Sequence, residues 1–301
     1  MTFNSDADIS GNRVRRGGGG RRGAAVGGGI GGLGLIVVLL IQVFTGQNVD
    51  LAGLTGEGQA EYQPAGGDES YVQCLEGGDQ ANREIDCRMQ ATALSLDAVW
   101  EKTLPEQAGI AYVLPEFTLF SGQVSTACGA ASSAVGPFYC PGDQTVYIDT
   151  TFFAELTSRF GAEGGPLGEL YVVAHEFGHH IQNQLGIMNT MDRSATGPLS
   201  DAVRLELQAD CYAGLWVKYA SETPDANGVA FLNKPTADEI SQALSAAEVV
   251  GDDHIQETFS GQVTPHNWTH GSSAQRQKWF QVGLDQGSMA ACDTFAVGDA
   301  L

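Results

Sequence analysis

The run His175-Glu176-Phe177-Gly178-His179 is an HExxH pattern, whose residue types and spacing suit a zinc-dependent hydrolase. On a helix, His175 and His179 stand at i and i+4, so both imidazoles leave one face and can hold one zinc ion. Glu176 then reaches the activated water and acts as general base. A catalytic zinc takes three protein ligands and keeps one position open. A metzincin would need Gly and His where this chain has Gln182 and Leu185, which excludes that class. The next helical segment, 200–216, carries Glu206 and Asp210 on one face. Carboxylates turned toward a core need a cationic partner, whereas on an exposed face the same pair would be a solvated acidic stripe. The first reading makes Glu206 the third ligand and Asp210 the acceptor for the second ring N–H of a ligand histidine. His270 stands just before a capping box formed by Ser272 and Gln275, at a helix entrance, and is the first candidate to stabilise the oxyanion.

These side chains need a helix under them. Pro166 suits a first turn, where its missing N–H costs nothing, and Gly186 suits a stop, so a helix is expected from 166 to about 185. Uncharged residues around the motif, Val172-Val173-Ala174 and Phe177-Gly178, agree with burial. His180 points away from the ligand pair. His254 falls in a stretch, 251–256, that reads as a loop after a helix opened by the capping box at Thr236 and Glu239. Residues 146–149 read as a strand. An edge strand beside a catalytic helix can pair with extended peptide backbone, which nominates Val146, Tyr147 and Ile148 for substrate binding.

The chain of 301 residues holds 15 Lys+Arg against 36 Asp+Glu, a net charge of -21. Residues 1–23 carry +3 through Arg13, Arg15, Arg16, Arg21 and Arg22, and 24–44 carry no charge at all. The remainder is strongly acidic, with no footprint for a nucleic-acid backbone, so nucleic-acid binding is excluded. The uncharged run 24–44 is long enough for a helix crossing a hydrocarbon core of ~30 Å. Its arginine-rich flank puts the N-terminus in the cytoplasm and the body outside. No A-x-A-like cleavage site follows it, which favours an uncleaved anchor over a signal peptide. The expected organisation is a basic cytoplasmic tail over 1–23, a transmembrane helix over 24–44, a flexible linker over 45–68 and a folded domain over 69–301. All six cysteines follow the anchor, an even number suited to an oxidising compartment. Local spacing favours Cys74 with Cys87 and Cys128 with Cys140, leaving Cys211 with Cys292; free buried thiols are the alternative. No C-x2-C pair exists to hold zinc.

The chain resembles the bacterial putative neutral zinc metallopeptidases, proteins that often carry one N-terminal transmembrane helix. The resemblance rests on Cys128-Gly129, on Gly136-Pro137-Phe138-Tyr139-Cys140-Pro141 and on Val146-Tyr147-Ile148-Asp149. It continues through AHEFGHHIQ at 174–182, ELQADCYAG at 206–214, GDDHIQ at 251–256 and HGSSAQRQKWF at 270–280. It implies a gluzincin-like site with zinc ligands His175, His179 and Glu206 and catalytic Glu176. It also implies an α+β, mainly helical zincin-like domain with a small sheet, preceded by one transmembrane helix. The expected activity is peptide-bond hydrolysis with one zinc ion per chain. The expected partners are a peptide or protein substrate and the membrane. A zinc-stabilised envelope scaffold with a vestigial site, or a zinc amidase, are the rival readings. The retained Glu176 speaks against the scaffold, which has no need of that carboxylate.

Overall fold

The computed structural model describes residues 2–17 and 70–301. In chain order the elements are β1 (Arg15–Arg16), β2 (Ser70–Tyr71), α1 (Gly78–Arg83), α2 (Ile85–Ala108), β3 (Glu116–Leu119), β4 (Gln123–Thr126), β5 (Gly129–Ser132), β6 (Phe138–Cys140) and β7 (Thr145–Ile148). There follow α3 (Phe152–Ser158), α4 (Pro166–Gln184), α5 (Asp201–Ala220), α6 (Ala237–Val249), α7 (Asp252–Ser260) and α8 (Ser273–Gln286). The class is α+β with a small sheet, as expected.

Local chemistry sets the helix ends. Helix α4 opens on Pro166, and the chain beyond it turns at Gly186, whose φ of 74° is cheap only for glycine. Helix α5 opens where the Ser200 hydroxyl accepts the Val203 N–H. The capping boxes expected at Thr236 and Ser272 both form, with Glu239 and Gln275 as the reciprocal acceptors. The stretch read as a loop around His254 is instead helix α7. Its N-terminal turn carries Asp252 and Asp253, which suit the positive end of the helix dipole.

The helices meet backbone to backbone. A Cβ on Gly214 of α5 would lie 2.0 Å from the Phe280 carbonyl oxygen, and one on Gly283 of α8 would lie 1.9 Å from that of Cys211. No larger residue permits this crossing. Three disulfides staple the fold in the pairing expected: Cys74–Cys87, Cys128–Cys140 and Cys211–Cys292, with Cα separations of 5.7, 5.8 and 5.5 Å.

The main sheet runs β2-β1-β3-β7-β6, and β4 with β5 forms a separate hairpin. Strand β7 pairs in parallel with β3 on one side and antiparallel with β6 on the other. The expectation that Val146, Tyr147 and Ile148 present an open edge to substrate is therefore corrected, because both edges of β7 are already paired and all four of its residues are buried. The outermost strand on that side is β6.

The largest departure concerns the N-terminus. Residues 2–17, expected to lie apart from the body as a tail, are part of it. Strand β1 sits inside the sheet, antiparallel to β2 and parallel to β3. Phe3, Ala7, Ile9 and Val14 belong to the core, each at most 2% exposed. Burial of Phe3, Ile9 and Val14 stabilises the fold by roughly 1.5–3 kcal/mol apiece. The apolar run 24–44 and the linker 45–68 lie outside the described residues. Among the described residues no helix is long and apolar enough to cross a membrane.

Candidate metal centre and its surroundings

Helices α4 and α5 pack so closely that a Cβ on Gly178 would lie 2.9 Å from the Ala209 Cα. That approach carries Glu206 to the two histidines of α4. His175 Nε2 lies 3.1 Å from Glu206 Oε2, and His179 Nε2 lies 3.5 Å from Glu206 Oε1. One ligand atom from each of the three falls within 4.8 Å of the others. Two imidazole nitrogens and a carboxylate converging on one point are the donor set of a catalytic zinc site, so the residues fit the ion that the motif implies.

Both Nδ1 atoms are occupied from behind, which turns Nε2 inward. His175 Nδ1 donates to Asp210 Oδ1 at 2.8 Å, and His179 Nδ1 donates to Gln182 Oε1 at 2.9 Å. Asp210 is thus where the sequence put it. Gln182 was noticed only as a missing glycine; its place three residues after His179 on the same helix is the signal that could have found it.

Asp210 is fully buried and heavily bonded. It accepts the Tyr171 hydroxyl at 2.6 Å and both Nε and Nη2 of Arg276 at 2.9 Å. Burial would raise its pKa, but Arg276 and His175 hold it below the ordinary value. Arg276, itself 4% exposed, also donates to the Val250 carbonyl and the Tyr171 hydroxyl, both at 3.3 Å. Sequence reasoning missed this arginine. For His175, burial pulls the pKa down, as does Arg276 more weakly, yet Asp210 and Glu206 raise it to about 10.

Glu176 is 7% exposed and stands close enough to His179, His175 and Glu206 to feel their charges. Burial raises its pKa, and the two histidines pull the other way without cancelling it. A carboxyl so poised takes up a proton more readily than a solvated glutamate does, which suits a general base that must later act as an acid.

His270 stands close enough to Glu206 for the two charges to act on each other. Its Nδ1 is 3.3 Å from Asp252 Oδ1, while Oδ2 of Asp252 accepts the backbone N–H groups of Thr269, His270 and Gly271 at 2.8, 2.7 and 3.0 Å. Burial disfavours the charged imidazole, but Asp252 and Glu206 outweigh it and raise the pKa. Asp252 therefore fixes the loop that carries His270, a role hidden from the sequence because its segment read as a loop. His180 turns away from the centre as expected. It lies between the Tyr139 hydroxyl of β6 at 3.0 Å and the Val113 carbonyl at 2.6 Å, and burial lowers its pKa to about 4. His254 donates to the Phe160 carbonyl at 2.9 Å, a structural tie.

Residues 4–295 match a family model described as a putative neutral zinc metallopeptidase. An uncharacterized protein of Mycobacterium tuberculosis (strain H37Rv) is 52% identical over 228 residues, which cover 75% of this chain and 76% of that protein. The uncharacterized protein YpfJ of Escherichia coli K12 is 37% identical over 273 residues, 89% of this chain and 87% of that one. No solved structure matches significantly.

Proposed function

We propose that this chain, which belongs to the putative neutral zinc metallopeptidase family, hydrolyses peptide bonds at a single zinc ion held by His175, His179 and Glu206. The observation that carries the reading is the convergence of those three donors beside a buried Glu176. Zinc bound there would lower the pKa of its water toward ~7 and polarise the scissile carbonyl. The remaining work falls to the chain's own side chains. Glu176 takes the proton of the attacking water and returns it to the leaving nitrogen. His270, held by Asp252, donates to the oxygen that gains negative charge. Asp210 and Gln182 keep the two histidine rings oriented. Extended substrate adds to the sheet along β6, whose Tyr139 touches His180 of the catalytic helix, rather than along β7.

The test separates binding from chemistry. Glu176→Gln should keep stoichiometric zinc by metal analysis and lose cleavage of a peptide library by at least a hundredfold, the scale on which general-base catalysis operates. Undiminished cleavage would overturn the assignment.

A further inference from the structure

We propose, on the zinc reading above, that Gln208 is a positioning residue for the ligand His179, acting through Gln182 in a one-way chain of hydrogen bonds that ends at the Cys292 carbonyl.

A histidine that offers Nε2 to a metal must carry its proton on Nδ1, and that N–H needs an acceptor. For His175 the acceptor is the carboxylate of Asp210, which when ionised can only accept. For His179 it is Gln182, whose side-chain amide has two different ends. Turned over, that amide would donate to Nδ1, move the ring proton to Nε2 and close that nitrogen to a metal. The site therefore needs something that holds the oxygen of Gln182 toward the ring.

That polarity is set from α5 and from the segment after α8. Gln182 Nε2 donates to the Leu205 carbonyl at 2.7 Å and to Gln208 Oε1 at 3.1 Å, which leaves Oε1 for His179 at 2.9 Å. Gln208 is an amide too, and it is oriented in turn by donating from Nε2 to the Cys292 carbonyl at 3.1 Å. A backbone carbonyl can only accept. Every proton on the path from His179 to residue 292 thus points the same way. Gln182, Gln208 and Cys292 are each at most 3% exposed, so bulk water cannot replace a lost partner.

The far end is anchored. The Cys211–Cys292 disulfide ties residue 292 to α5 one turn beyond Gln208, and the Thr294 hydroxyl donates to the Arg204 carbonyl at 2.7 Å. A helix contact that needed only sealing would be met by leucine, because two buried amides add a desolvation cost and are tolerated only when matched. Here the matching runs in a line to a metal ligand.

The test measures zinc affinity of the full-length protein by competition with a chromophoric chelator, and the Nδ1–H signals of its zinc-bound histidines by NMR with labelled histidine. Gln182→Leu should weaken zinc binding by about 10–100-fold, the range for a lost partner of a ligand histidine. In Gln208→Met the Leu205 carbonyl still orients Gln182, so the loss should be smaller, about threefold to tenfold. The His179 Nδ1 proton should exchange faster in that variant, while the His175 signal, held by Asp210, stays unchanged. Gln208→Asn, one methylene too short to span both partners, should repeat both effects and guards against a Met variant that fails to fold. Adding Gln208→Met to Gln182→Leu should cost no further zinc affinity, because Gln208 acts only through Gln182. A merely structural glutamine would instead give additive losses and disturb both histidine signals alike, and either result would sink the proposal, as would wild-type zinc affinity in the Gln208 variants. A wild-type protein that binds no zinc would overturn the zinc reading itself, and the relay with it.

Discussion

Arg276→Met isolates the buried cation behind the metal centre. The substitution keeps an unbranched apolar stem but removes two charge-assisted bonds of 2.9 Å to Asp210, leaving that carboxylate with Tyr171 and His175 as its remaining donors. Breaking a buried pair by deleting one partner costs about 3–5 kcal/mol, because the surviving charge stays desolvated. For a domain of this size each kcal/mol moves the unfolding midpoint by about 2–4 °C, so Tm should fall by roughly 6–20 °C. Loss of the group that anchors Asp210 should also loosen the His175 ring and weaken zinc binding by about 10–100-fold in a competition titration. Asp210→Asn combined with Arg276→Met removes the stranded charge and should recover part of the stability, a non-additivity expected of residues in one network. Lysine at 276 restores the charge without the two-pronged geometry and should rescue only in part. A single variant within 1 kcal/mol of wild type, or a strictly additive double variant, would refute the reasoning.

Asp252→Ala should orphan three backbone N–H groups at about 1–3 kcal/mol each, lowering both Tm and kcat, whereas His270→Ala should lower kcat with Tm nearly unchanged. Burial pushes the Asp252 carboxyl up, but His270 and the N–H donors hold it below its ordinary 3.8, so its stabilisation is full above about pH 4 and fades as pH falls. Asp252→Asn should therefore lose less stability than wild type below pH 4 in acid-unfolding titrations, and parallel curves would count against the cradle. A chain beginning at Glu69, the boundary that composition suggests, leaves the sites of Phe3, Ile9 and Val14 open and strips partners from Gln90 and Asp97. The loss, on the order of 5 kcal/mol or more, approaches the whole stability of a typical domain, so thermal scans should show no cooperative transition. A sharp transition near the full-length midpoint would show that the segment is dispensable.

What could be read in advance follows the range of the interaction. The HExxH helix announces itself through local spacing, and Glu206 through an acid placed on an apolar helical face; both signals lie within one element. Gln182 was equally local and was overlooked only because it was compared with a motif it does not match. Arg276 was not legible, since one arginine immediately after a capping box looks like an exposed face until Asp210, far earlier in the chain, is brought beside it. Asp252 suffered similarly, because its function is to collect backbone N–H groups of residues 269–271. The pattern of β7 marked a strand but could not tell an edge from an interior position. That depends on β3, which joins it in parallel from nearly thirty residues earlier.

The N-terminal segment shows the same limit in electrostatics. Reading sidedness from flanking arginines assumes that those charges are free to meet the cytoplasmic leaflet. In a chain with so large an acidic excess, arginines near the sheet find carboxylates instead, and Asp97 binds Arg13 in a site where solvent barely screens the pair. Burial raises the Asp97 pKa, and Arg13 works against that rise. The pairing also reaches the metal helix. Phe177, flanked in sequence by the two ligand histidines, is contacted by the Phe117 ring of β3 at 6.1 Å and by the Arg13 guanidinium at 5.9 Å. Docking residues 2–17 thus completes the face of α4 opposite the zinc donors. The segment expected to be a cytoplasmic tail thus packs against the helix that carries His175 and His179.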